Sequence, residues 1–145
     1  MHKDKPILLV EDNPDDEALT LRALKKHNLI GEVVVKRDGQ EALDYLESFD
    51  REQENDSAAP RLILLDLKIP KVDGLQVLKS LRSYKGTRYV PVVVLTSSNE
   101  DQDVISSYSL GANSYVRKPV NFHQFLDVAK QLGLYWLVLN EAPNG

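Results

Sequence analysis

The stretch LILLDLKIPKVDG, Leu62 to Gly74, ends an apolar run on a single acid, Asp66, and follows it with a lysine, a proline and a glycine. Leu62 to Leu65 read as a strand covered on both faces, because such strands lose the polar alternation of half-exposed ones. Two further runs share the pattern, Ile7–Val10 and Val92–Leu95, each closing in polar or turn residues. Two weaker candidates are Glu32–Lys36 and Asn113–Val116.

Helical patterns fill the gaps. Asn13 can cap a helix that Pro14 opens, with Asp15, Asp16 and Glu17 in a first turn that favours acids. Ala18, Leu21 and Leu24 mark its expected inner face. Gly39 to Ser48 predicts a second helix through Ala42, Leu43 and Leu46. Leu75, Val77, Leu78 and Leu81 mark a third, and a fourth runs from about Asn99 to Ser109. The fifth begins near Asn121 and repeats Phe122, Phe125, Ala129, Leu132, Trp136 and Leu139 at steps of three and four. Glu47 to Pro60 reads as a long polar surface loop. Strand and helix thus alternate five times, which predicts an α/β domain with a parallel sheet and helices on both faces. No internal repeat or linker interrupts the 145 residues, so one domain over 1–145 is expected.

In such sheets, ligands bind beyond the carboxyl ends of the strands. The first strand is followed by Glu11 and Asp12, the third by Asp66, the fourth by Thr96, and the fifth by Lys118. Three carboxylates, a hydroxyl and an ammonium therefore converge on one edge. Clustered carboxylates repel unless a cation joins them, and an all-oxygen donor set suits a hard ion such as Mg²⁺. An aspartate can attack phosphorus to form an acyl phosphate. Thr96 and Lys118 supply donors for the charge on a transferred phosphoryl group. An isolated Asp after a strand is most often a turn former or cap, but that reading explains none of the residues that meet Asp66.

The bulk composition is that of an ordinary globular protein, 42% apolar and 28% charged. A net charge of −4 gives no electrostatic case for nucleic acid or an anionic membrane. The absence of cysteine removes disulfides, thiol nucleophiles and Cys-based zinc sites. No run approaches the roughly 18 apolar residues of a membrane span, and MHKDKPILLVEDN is a strand rather than a leader. A cytoplasmic protein is expected.

Taken together, ILLVEDN, LILLDLKIPKVDG, VPVVVLTSS and GANSYVRKP resemble the receiver domain of two-component response regulators over nearly the whole chain. The resemblance implies a flavodoxin-like fold with strand order 2-1-3-4-5. It implies that Asp66 is the phospho-acceptor and Asp12 a direct metal ligand, with Glu11 beside it. The backbone carbonyl of Lys68 would complete the shell around Mg²⁺ or Mn²⁺. Thr96 would be the switch hydroxyl, Lys118 the phosphate-binding lysine, and Tyr115 the switch aromatic. A cis bond between Lys118 and Pro119 is implied as well.

Within the family, VEDNPDDEALTLRAL, the long acidic loop and the tail YWLVLNEAPNG are similar to small regulators partnered with bacterial phytochrome histidine kinases. The implied function is phosphoryl acceptance from such a kinase, followed by docking to another protein, and not turnover catalysis. Lys68 and Ser98, two positions after the acceptor and after Thr96, are not residues that would orient an attacking water, so slow self-dephosphorylation is expected. The C-terminal extension from about 135 carries Leu134, Tyr135, Trp136, Leu137, Val138 and Leu139, more apolar surface than one core stripe needs. It suggests a homodimer through this extension and the face of helix four, strand five and helix five. The rival from another class is a haloacid-dehalogenase-type phosphohydrolase, which would want an acid where Lys68 stands.

Overall fold

The strands with unbroken apolar runs occupy the middle of the sheet, and those with mixed sequences its edges. The computed structural model describes residues 5–26, 32–51, 59–118 and 121–132. In these, β1 (Ile7–Val10), β2 (Val33–Lys36), β3 (Leu62–Leu65), β4 (Val92–Thr96) and β5 (Ser114–Arg117) form one parallel sheet in the order β2-β1-β3-β4-β5. This is the flavodoxin-like order. Every residue of β1, β3 and β4 is buried, whereas β2 and β5 are half-buried along most of their length. The sequence VVVK of β2 and SYVR of β5 match that edge position.

Alternate residues of a strand point to opposite faces, and the sheet uses this to build two cores. Leu8, Val10, Ile63, Leu65, Val92 and Val94 face α2 (Gly39–Arg51) and α3 (Gly74–Leu81). Ile7, Leu9, Leu62, Leu64 and Val93 face α1 (Pro14–Lys26) and α5 (Phe122–Leu132). The fourth helix, α4 (Asp101–Ser109), packs against β5 and α3. Fully burying one such side chain contributes roughly 1.5–3 kcal/mol, so the strands bind both layers firmly and leave their carboxyl ends as a fixed platform.

Helix starts follow the side-chain chemistry. The Asn13 carboxamide oxygen accepts from the N–H groups of Asp15 (2.9 Å) and Asp16 (3.1 Å). Asp38 accepts from the Glu41 N–H at 2.7 Å, Asp73 from Gln76 at 2.9 Å, and Asn121 from Gln124 at 3.0 Å. Each satisfies an amide that the helix itself cannot.

Three expectations are corrected. The inner face of α1 is Thr20, Ala23 and Leu24, with Ala18 exposed. The second helix runs on through Arg51, into the stretch expected to be loop, because Phe49 extends the buried stripe Ala42–Leu46 and meets Tyr45 edge-to-face at 5.3 Å. The fourth helix starts at Asp101 instead of about Asn99, since Glu100 is still extended (ψ 130°). The Lys118–Pro119 bond and the apolar tail Leu134–Leu139 lie outside the described residues.

Gly74 sits where α3 begins directly against the end of β3. A Cβ there would collide with the carbonyl oxygen of Asp66 and lie 2.6 Å from the Leu67 Cα, while the Gly74 N–H donates to the Leu67 carbonyl at 2.9 Å. Glycine is therefore required for close approach, and α3 presses on the backbone that carries Asp66.

Arg82, just past α3, closes the opposite end of the molecule. Its guanidinium donates to the carbonyls of Gly111 (2.7 and 3.0 Å), Val90 (2.7 Å), Arg88 (3.1 Å) and Thr87 (3.3 Å), and to the Asn113 side chain at 3.0 Å. The segment before β4 and the turn before β5 are thus held by one side chain.

Candidate functional site

Register alone brings two of the acids together. Val10 pairs with Leu65 across β1 and β3, so Glu11 and Asp66, the next residues, leave the sheet side by side. The Asp66 N–H continues the ladder to the Val10 carbonyl at 3.1 Å, and the Glu11 N–H does the same to Lys36 at 3.0 Å. Asp12 follows, exposed at the mouth. Oxygen atoms of Glu11, Asp12 and Asp66 all lie within 4.8 Å of one another, a group among the described residues that could hold a metal ion.

Lys118 enters from the end of β5. Its backbone N–H donates to the Thr96 carbonyl at 2.7 Å, which fixes the lysine beside β4. The side chain, 8% exposed, reaches across the strand ends. Its Nζ lies 2.7 Å from Glu11 Oε1, 2.8 Å from Asp16 Oδ2 and 2.9 Å from Asp66 Oδ2. All three donors of the ammonium are therefore engaged.

The electrostatics follow from burial. Glu11 is 1% exposed, and loss of water pushes its carboxyl up to about 7; the bond from Lys118 opposes the rise, and the charge of Asp66 adds to it. Burial disfavours the charge on Lys118, but the bonds to Asp16, Glu11 and Asp66 outweigh it and hold the ammonium above the ordinary lysine value. One ammonium stands among four carboxylates, with Asp12 the least buried. An all-oxygen cluster short of positive charge fits a hard divalent cation.

Thr96 is the last residue of β4 and fully buried; its hydroxyl accepts a long 3.4 Å contact from the Ser98 N–H. The Tyr115 hydroxyl donates to the Ser98 carbonyl at 2.9 Å, and the Tyr115 N–H donates to the Tyr108 hydroxyl on α4 at 3.2 Å. The expected switch aromatic thus contacts both the loop after Thr96 and helix α4. Lys68 turns its side chain away from the cluster. Its Nζ lies 3.4 Å from Asp103 on α4, while its N–H makes a long 3.4 Å contact to Asp66 Oδ1. Asp103 also accepts from the Ser98 hydroxyl at 2.6 Å. That bond is the main cause of its lowered carboxyl pKa; burial works against it and Lys68 assists.

The strand ends therefore bring together Glu11, Asp12, Asp66 and Lys118, with Thr96 adjoining. Sequence reasoning missed Asp16, which reads as an ordinary acid of a helix's first turn. Its signal was its place four residues before Thr20, on the face of α1 that turns inward.

A parallel five-stranded sheet of this order, with acids after β1 and β3, a hydroxyl ending β4 and a lysine after β5, defines a phospho-accepting signalling domain rather than a hydrolase. The response regulator receiver domain model matches residues 7–130, and the chain belongs to that family. Two curated relatives are each 40% identical. One is the probable methanogenesis regulatory protein FilR2 of Methanothrix harundinacea, with 94% of this chain and 86% of that protein covered. The other is the response regulator Rcp1 of Synechocystis sp., with 92% and 89% covered.

Among solved structures, the phosphorylated cyanobacterial phytochrome response regulator RcpA superposes with a TM-score of 0.85 at 38% identity, covering 99% of both chains. The Mn²⁺-bound form of Rcp1 gives 0.82 at 36%, with 96% and 99% covered. The bacteriophytochrome response regulator AtBRR is 54% identical with a TM-score of 0.69, over 94% and 97%. The phosphohydrolase alternative finds no support in these relatives, and Lys68 occupies the place its second acid would need. Among the described residues, no helix is long and apolar enough to cross a membrane.

Proposed function

We infer that this chain, as a single receiver domain with a short C-terminal extension, takes a phosphoryl group from a histidine kinase onto Asp66 and signals by docking to another protein. The observation that carries the reading is the meeting of Asp66 with the Lys118 ammonium and two further acids at the ends of β1, β3 and β5. Glu11, Asp12, Asp66 and the backbone carbonyl of Lys68 would hold Mg²⁺, or Mn²⁺ as in the Rcp1 structure. When bound, the ion supplies positive charge that lets a phosphoryl anion approach the carboxylates.

Asp66 needs no general base. Its ionised oxygen forms the new O–P bond as the P–N bond to the donor imidazole breaks, and the electron pair leaves on the imidazole ring. Lys118 and Thr96 take the oxygens of the transferred group by charge and hydrogen bond. Thr96 and Tyr115 then carry the change to α4 and β5, biasing an existing two-state equilibrium. Because Lys68 and Ser98 both turn toward Asp103, neither presents a side chain to orient an attacking water, so release of phosphate is slow and the chain is not a turnover enzyme.

Mapping the acid-labile label tests this. After treatment with acetyl phosphate and Mg²⁺, the label is expected on the peptide bearing Asp66, with a lifetime of minutes or longer. A label on any other peptide overturns the assignment, and decay within seconds overturns the slow release.

The donor is a phytochrome-type histidine kinase on this reading, supported by the likeness to RcpA, Rcp1 and AtBRR, and the chain works in the cytoplasm. Its net charge of −4 supports neither a nucleic-acid nor a membrane surface as partner. It forms a homodimer through α4, β5, α5 and the apolar extension; Ile105 and Tyr108 on α4 are 58% and 51% exposed. Sedimentation at tens of micromolar should show dimers, and monomers with and without phosphorylation would remove the idea.

A further inference from the structure

We propose that Asp16 is the positioning residue for Lys118: the fixed partner about which the ammonium turns as the phosphoryl group arrives at Asp66. The inference rests on the reading of Asp66 as acceptor. Of the three acids that hold Nζ, Glu11 and Asp66 belong to the cluster whose oxygens face one another, and a cation or phosphoryl group there must draw on the same two carboxylates. Asp16 stands outside that cluster, with its oxygen 2.8 Å from Nζ on the α1 side. It can keep its bond while the other two change.

Its own base is rigid. The Asp16 N–H is capped by Asn13 at 3.1 Å, and its carbonyl accepts from the Thr20 hydroxyl at 2.8 Å. Thr20 is 4% exposed, in the α1 face that packs on α5 and the sheet. A carboxylate on so fixed a turn holds a flexible lysine in one place, and reduces the rotamer freedom lost when the lysine grips its target.

Phosphoryl transfer removes charge from the Asp66 oxygen and adds charged oxygens beyond it. The N–H now given to Asp66 Oδ2 turns to a phosphoryl oxygen while the bond to Asp16 remains. Without Asp16 the ammonium has only Glu11 and Asp66 to choose between, both needed by the cation.

The test is a double-mutant cycle on the full chain, read as the rate of Mg²⁺-dependent labelling by acetyl phosphate. Asp16→Ala is expected to slow labelling about tenfold, the effect of raising the barrier by one charge-assisted contact. In a Lys118→Ala background the same change should alter the rate by less than about twofold, since Asp16 acts only through the lysine. Equal slowing in both backgrounds, or no slowing in the first, overturns the proposal.

The Lys118 ammonium resonance in an NMR spectrum decides independently. A signal protected from exchange in the wild type should be lost in Asp16→Ala, and its persistence would overturn the proposal even if Lys118→Ala labels too slowly to compare. Asp66→Asn separates the two readings. Labelling that survives it removes Asp66 as acceptor, whereas loss of labelling there with an unchanged Asp16→Ala rate removes only the role of Asp16.

Discussion

Lys118→Ala is expected to destabilise the protein in EDTA by about 3–5 kcal/mol, the cost of breaking a buried ion pair from one side. The lysine is the ammonium shared by Glu11 and Asp66, which are 1% and 6% exposed, and by Asp16. Alanine leaves those carboxylates facing one another with neither water nor a counter-charge. A surface ion pair would be worth less than about 1 kcal/mol, so the burial decides the size of the effect.

The same argument predicts a rescue. A divalent cation can replace the missing charge, and at a hundred times its dissociation constant a ligand adds about 2.7 kcal/mol to the folded state. Urea midpoints in EDTA and in excess Mg²⁺ should therefore differ more for Lys118→Ala than for the wild type. An unchanged midpoint in EDTA would mean that the cluster is solvated and not held by the lysine.

The second large effect lies at the opposite edge of the sheet. Arg82→Ala should cost about 3 kcal/mol, corresponding to roughly two charge-assisted hydrogen bonds that water cannot fully replace. The guanidinium gathers carbonyls from Thr87, Arg88, Val90 and Gly111 and the Asn113 side chain. Arg82→Lys should recover little, because an ammonium on a flexible stem cannot span this fork of acceptors. Thermal or urea unfolding measures the loss. Labelling of the surviving folded protein should persist, since none of these contacts reaches Asp66; labelling lost in parallel with no loss of stability would contradict the structural role.

What the sequence made legible was whatever depends on short-range pattern. The runs ILLV, LILL and VVVL are strands because a fully buried strand needs apolar residues on both faces, and the residues that end them are fixed by topology once the order is known. Glu11, Asp12, Asp66, Thr96 and Lys118 were readable for that reason. Where a residue's partner comes from far along the chain, the pattern falls silent. Asp16 looks like any acid in a helix's first turn until β5 brings Lys118 to it across 102 positions. Arg82 looks like a solvated residue after Leu81 until Gly111 and Val90 close around it. Phe49 was hidden differently: its polar neighbours lowered the apparent hydrophobicity of a turn that still buries one aromatic ring.

Asp103 gives the molecule a property beyond its role as a hydrogen-bond acceptor. It ties α4 at once to Lys68, in the loop after Asp66, and to Ser98, in the loop after Thr96. A macromolecule that grips α4 in one position and a phosphoryl group that favours that position are thereby thermodynamically linked. Each must strengthen the binding of the other by the same factor. A protein that docked on α4 would then help determine how fully the domain is phosphorylated, as well as read it.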